Sequence, residues 1–187
     1  MDGTSQHGAA APQPTEALPA VCLRPLTLDD VPALEAADSA DDDPFNWAGY
    51  SDAGHRAATL TDHRTLREDG GQLAVTDTQG TLLGTVSWRQ LRTGPSPHSW
   101  CWSIGISLLP AQRGQGYGAS AQRSLAAYLL EQTPVPRIEA DTDLTNIAEQ
   151  RALEKAGFRR EGVLRQAQWR AGQWHDMVLY AVLRGEL

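Results

Sequence analysis

The stretch "AQRGQGYGAS", residues 111–120, sets glycines at 114, 116 and 118 directly ahead of a segment with helical periodicity. Glycine is a poor helix former, so its repetition at a helix start asks for a reason beyond the helix. The first four N–H groups of any helix lack internal partners and carry part of the positive end of its dipole, so a phosphate placed there is stabilised without a metal or a lysine. Glycines at 114, 116 and 118 keep side chains out of the way, and Arg113 adds a charged donor. The stretch therefore reads as an anion cradle. A plain glycine-rich turn competes with that reading, and spacing alone does not separate them.

Two other phosphate motifs are weighed against it. A P-loop needs Gly-Lys-Ser/Thr after its glycines, whereas this chain has Gly118-Ala119-Ser120. Gly114-x-Gly116-x-x-Ala119 satisfies the loose dinucleotide pattern, with Glu139 about 20 residues further on. That fingerprint wants its first glycine directly after a parallel strand, and here "LPAQR" intervenes.

Working outward, apolar groups at Tyr117, Ala121, Leu125, Tyr128 and Leu129 mark one buried helical stripe, closed by Pro134 and Pro136. Downstream, "RIEADT" reads as a strand and "NIAEQRALEKAG" as a helix capped at both ends. "FRREGVLRQ" and "QWHDMVLYAVL" read as two further strands joined through Ala171-Gly172. Upstream, "VCLRPL" is a strand and "TLDDVPALEAAD" a helix capped by Thr27, with Asp29 and Asp30 near its positive end. A second helix is expected from about Ala53 to Glu68, stopped by Gly70-Gly71. "QLAVTD" and "TLLGTVSW" form a hairpin about Thr78-Gln79-Gly80, and "HSWCWSIGISLL" adds a third antiparallel strand. A meander followed by strand, helix, strand and helix gives a mixed α+β class with one βαβ crossover.

Bulk properties bound the rest. The chain of 187 residues is 41% hydrophobic, enough for one domain over residues 21–187. Residues 1–20, rich in Ala and Pro, read as a disordered tail. A formal charge of -7, from 16 Lys+Arg against 23 Asp+Glu, argues against unaided nucleic-acid binding and favours a cationic or amine-bearing ligand. The sequence shows neither a run long and apolar enough for a membrane span nor a signal-peptide pattern. Cys22 and Cys101 are expected as free thiols in a reducing cytoplasm.

"GISLLPAQRGQGYGASAQ" and "NIAEQRALEKAGF" together resemble two motifs of the GNAT superfamily of acyl-CoA N-acyltransferases. The likeness runs over roughly residues 21–185 and is nearest the branch holding the ribosomal-protein alanine acetyltransferases. It implies a mostly antiparallel, twisted sheet with flanking helices and a splayed central strand. It also implies acetyl-CoA as donor, an amine as acceptor and direct attack without an acyl-enzyme. At matching positions, Ile106, Ser107 and Leu108 would offer backbone groups to the pantetheine arm. Arg113, Gly114, Gln115, Gly116, Tyr117 and Gly118 would hold the pyrophosphate, Asn146 would bond the cofactor and Arg151 would reach its nucleotide end. The sequence departs from the pattern at Ser103, where many relatives carry a carboxylate, and at Leu153, where some carry a tyrosine. Where a serine is common the chain has Glu149, which is either half of an Asn146-x-x-Glu149 capping box or an acid/base. A cofactor-binding sensor with feeble turnover is the alternative that these departures raise.

Weaker candidates remain. Asp141, Asp143 and Asn146 lack the glycine and distal glutamate of a calcium loop, so no metal site is expected. His98 and His175 are expected at the surface, with a water-mediated proton relay as the alternative, and Asp176 as an exposed strand-end carboxylate. "DDDPFNW" is either a solvated loop or an amine-accepting lid. Most of Trp47, Trp88, Trp100, Trp102, Trp169 and Trp174 are expected in the core. The last hairpin could support a homodimer by edge pairing.

Overall fold

The structure is a computed structural model that describes residues 17–40, 43–45 and 66–187. Strands β1 (Cys22–Pro25), β2 (Leu66–Arg67), β3 (Gly70–Thr76), β4 (Leu82–Arg92), β5 (Trp100–Leu108), β6 (Arg137–Asp143), β7 (Arg159–Arg170) and β8 (Gln173–Leu183) form one sheet. The spatial order is β1-β3-β4-β5-β6-β8-β7, with β2 on β3. Among the described strands only β5 and β6 run parallel; the helix α2 (Tyr117–Gln132) makes the crossover between them. Helix α1 (Val31–Ala40) follows β1, and α3 (Ile147–Ala156) follows β6.

Alternation along the strands sorts side chains to two faces. Leu73 and Val75 join Val86, Trp88, Trp102 and Ile104 under α2 and α3, where Ala121, Leu125, Leu129 and Leu153 complete the main core. Ala74, between them, packs on the other face with Leu26 and Leu34. Tyr128 departs from the expected stripe and is exposed, because it sits at the margin of the arc that faces the sheet.

Both ends of α3 are as expected. Asn146 Oδ1 accepts the Glu149 N–H at 3.2 Å, and Gly157 closes the helix with φ 101°. Ahead of α1 a short 3₁₀ turn, Leu28–Asp30, intervenes. Its Asp30 carboxylate accepts the Thr27 N–H at 2.8 Å and the Thr27 hydroxyl at 3.0 Å, and pairs with Arg24 at 2.7 Å.

The expected second helix lies mostly outside the described residues, but its end is corrected. Leu66–Arg67 is a strand, and Gly70-Gly71 opens β3 instead of stopping a helix. A Cβ at Gly70 would stand 2.5 Å from the Trp88 carbonyl oxygen, so glycine is needed for close strand approach. Residues 17–20 also depart from the tail reading. Pro19 packs on Gly116, and its carbonyl accepts the Ser120 hydroxyl at 2.6 Å.

Of the tryptophans, Trp88 and Trp102 are buried, and Trp100 stacks edge-on against Trp102 at 4.9 Å. Trp169 and Trp174 are corrected: both lie more than half exposed, paired edge-on at 5.4 Å beside the Ala171-Gly172 turn. Trp47 is outside the described residues. Among the described residues no helix is long and apolar enough to cross a membrane.

Candidate active site

The β5–β6 ladder contains only the pairs Trp102–Ile138 and Ser103–Glu139. Beyond them the strands part, although β5 stays paired with β4 as far as Leu108. Backbone groups of residues 104–108 on that side therefore have no β6 partner. The opening is a cleft of about 430 Å³ walled by Ile104–Leu108, by Ala140–Asp143 and by the first turns of α2 and α3.

Arg113, Gly114, Gly116 and Gly118 line one end, where Arg151 and Lys155 of α3 join them. Three cations thus gather in a chain of net charge -7. Gly114 and Gly116 have φ of 74° and 84°, conformations that side chains resist. A Cβ at Gly114 would stand in open space, and Gly116 has a packing reason for glycine besides the expected clearing of ligand space. A Cβ at Gly116 would meet Pro19 at 3.1 Å, whereas one at Gly118 would project among Ile106, Leu108 and Ala152, all cleft residues. Gln115 and Tyr117 are not among the lining residues; Gln115 bonds the Ala111 carbonyl at 3.0 Å, and Tyr117 packs on the core. The turn Pro110–Gln112 separates β5 from the glycines, which removes the dinucleotide reading.

Ile106, Ser107, Leu108, Asn146, Arg151 and Glu149 all reach the cleft. Ser103 does not: it is buried in the sheet opposite Arg89 and Glu139. The capping-box reading of Glu149 is half right. Asn146 caps the Glu149 N–H, but the Asn146 N–H goes to the Asp143 carbonyl at 2.9 Å, so the Glu149 carboxyl is not the return bond. With one lone pair of Asn146 Oδ1 engaged, its amide nitrogen keeps two N–H donors for a ligand. Burial pushes the Glu149 carboxyl up to about 7, with a bond from the Gln122 amide pulling weakly the other way.

A charged cluster also borders the cleft, with Asp143 and Arg170 among its lining residues. Asp143 Oδ2 accepts from Arg170 and from His175 Nδ1 at 2.9 Å, while Oδ1 accepts from Thr145 N–H at 2.8 Å and the Thr145 hydroxyl at 2.7 Å. Burial raises the Asp143 carboxyl, but these bonds outweigh it and hold it at about 2. His175 is thus corrected from the surface: it is half-buried, and its Nε2 is buried without a partner. His98 is exposed as expected. Asp176 is half-buried and accepts the Gln166 N–H at 2.8 Å across the β7 irregularity. Asp143→Asn is expected to cost about 3 kcal/mol at neutral pH, since it leaves Arg170 short of its anion. The carboxylate's share of stability is present above pH 4 and lost as pH falls toward 2; urea melts at pH 7 and pH 2.5 check both.

Parts of "DDDPFNW" reach the cleft as well. Asp43 lines it and pairs with Arg113 at 3.1 Å, and the Phe45 ring lies 5.9 Å from the Arg170 guanidinium. Sequence reasoning gave no role to Lys155, Gln122 or Arg170. Lys155 follows Arg151 by four on one helix face, and Gln122 is a buried amide beside an apolar stripe, signals that point to the cleft. Arg170 gave no such signal. Neither cysteine enters the cleft, and burial, chiefly, with Glu139 adding to it, pushes the Cys101 thiol up to about 12, which keeps it protonated. Among the described residues no cluster could hold a metal ion.

Residues 20–159 match the model of the GNAT acetyltransferase domain, and the chain belongs to that family. It is 35% identical over 102 residues to the probable N-acetyltransferase YjcK of Bacillus subtilis, covering 54% of this chain and 55% of that protein. The chain spans about half the length of the curated relatives it matches. In structure it resembles the spermidine N-acetyltransferase of Vibrio cholerae in complex with CoA and spermine, with a TM-score of 0.74 at 17% identity over 89% of this chain and 96% of that one. Mycobacterium smegmatis RimJ in complex with CoA-disulfide gives a TM-score of 0.74 at 22% identity, over 90% and 84%.

Proposed function

We propose that this chain transfers an acetyl group from acetyl-coenzyme A to a primary amine, small-molecule or peptide, in the manner of the ribosomal-protein acetyltransferase branch. The observation that carries the reading is the slot between β5 and β6: it ends on the cationic glycine loop and has a carboxyl poised near neutrality in its wall.

The residues fit the donor. The N–H groups at the start of α2, with Arg113, Arg151 and Lys155 around them, suit a diphosphate and a nucleotide phosphate. Backbone along residues 104–108 that has no partner strand on the β6 side suits the amides of a pantetheine arm. Bound there, acetyl-coenzyme A supplies an acyl group already activated as a thioester.

The chain's own share is positioning and proton handling. Holding an amine at near-attack distance is worth effective molarities of about 10⁵–10⁸ M in well-oriented cases. The Glu149 carboxylate takes the proton the amine sheds as its nitrogen bonds the acyl carbon. A free N–H of β5 donates to the carbonyl oxygen as it gains charge. As the carbon–sulfur bond breaks, the Glu149 carboxyl returns to the leaving thiolate the proton equivalent that the amine shed, which balances the reaction. Cys101, buried and protonated, has no part in this.

Release of free thiol from acetyl-coenzyme A across a panel of diamines, polyamines and peptides with free N-termini tests the reading. Turnover with at least one amine is expected. Saturable coenzyme A binding without turnover on any amine would support the sensor instead.

A further inference from the structure

We infer that the segment Ala17–Val21, through Pro19, is a strap that sets the shape of the glycine loop, and that Ser120 is the positioning residue that fastens it. The inference rests on the proposed role of that loop as the diphosphate cradle.

The loop has little of its own to hold it. Gly116 serves as N-cap of α2 with no side chain to cap the helix, and both Gly114 and Gly116 occupy left-handed backbone. Such positions lose the most conformational freedom on ordering. Within the loop, Arg113 Nε reaches back to the Leu108 carbonyl at 3.2 Å and pairs with Asp43 at 3.1 Å, the Gln115 amide bonds the Ala111 carbonyl at 3.0 Å, and the Ser120 N–H bonds the Gly116 carbonyl at 3.3 Å. None of these side chains stands against the outer side of Gly116, where the nearest group is Pro19.

Pro19 does. Its ring stands where a Gly116 side chain would begin, 3.1 Å from that Cβ position, and proline's fixed φ makes it a stiff stop. Gly116 lines the cleft while Pro19 does not, so the ring lies outside the cleft walls and leaves the anion side open. The Ser120 hydroxyl has one proton to give. It gives it to the Pro19 carbonyl at 2.6 Å, the Gly116 carbonyl being 3.5 Å away. Ser120 is 5% exposed, so water competes poorly for that bond. Three residues after Pro19 the chain enters β1, which the sheet holds through its pairing with β3. The sheet edge is thereby tied to the first turn of α2, across 101 residues of sequence.

The test compares the affinity for coenzyme A with that for pantetheine, which lacks the diphosphate, by calorimetry on the chain of residues 1–187. Ser120→Ala is expected to weaken coenzyme A on the order of three- to tenfold, the reach of one buried hydrogen bond, and to leave pantetheine unchanged. Pro19→Gly, which keeps the carbonyl and removes the stiff ring, is expected to shift the ratio the same way. Arg113→Ala is the control for the cradle itself. If Arg113→Ala weakens coenzyme A and Ser120→Ala leaves the ratio at its parental value, the strap is refuted and the cradle stands. Equal weakening of both ligands by Ser120→Ala also refutes it, since that marks a general loss of structure. If Arg113→Ala has no effect, the cradle reading fails first.

Discussion

Gly118→Leu is expected to weaken coenzyme A binding at least a hundredfold, about 2.8 kcal/mol, while the melting temperature holds or rises. The two effects have opposite signs because the residue does two jobs. As a helical position, 118 gains from losing glycine, roughly 0.8 kcal/mol. Its φ is not left-handed, and a Cβ there would meet Leu108, Ala152 and Ile106 at 3.7–3.9 Å, ordinary contact distances. Those three residues wall the cleft, so the rest of a leucine has only the cleft to fill. Calorimetry with coenzyme A and a thermal melt of the same sample check both signs. Unchanged affinity would mean that the slot is not where the arm lies.

Glu149→Gln is expected to lower kcat by about 10²–10⁴, the usual worth of a general base, and to change the pH profile. A base held at about 7 is half-ionised at neutrality, so the parental rate climbs as pH rises through 7 and then levels. Glutamine keeps the shape, loses the titration and flattens that limb. Folding stability gives a second readout that does not depend on activity. A carboxyl raised in the fold favours its neutral form there, so its contribution falls as pH rises from about 4.5 to about 7. The Glu149→Gln protein lacks that decline and gains relative stability above pH 7. A limb near 7 that survives the substitution would assign the titration to another group.

The order of strands and helices after residue 70 was legible because each boundary carries a local signal. Thr78-Gln79-Gly80 and Ala171-Gly172 turn hairpins, Asn146 and Gly157 bracket α3, and the two prolines follow α2. The cofactor end of the cleft was legible for the same reason: its residues sit together in two short motifs. The end of the expected second helix was misread because Gly70-Gly71 resembles a helix stop, while its actual job, admitting the Trp88 carbonyl, depends on a strand far along the chain. The charged cluster shares that difficulty. Asp143, Arg170 and His175 come from three strands and meet only through the β6–β8–β7 order, which no local pattern announces. Tryptophans 169 and 174 look like core by type, yet they flank the Ala171-Gly172 turn, where both lie more than half exposed. The reason for glycine at 116 was likewise hidden, since its neighbour Pro19 lies in a segment whose composition reads as a tail.

A crystal structure of the complex with coenzyme A tests the central claim most directly. The diphosphate is expected about 3 Å from main-chain N–H groups of residues 114–118, beside Arg113, with the pantetheine arm between β5 and β6 and its thiol toward Glu149. A diphosphate bound away from that loop, or an arm outside the slot, would contradict the account.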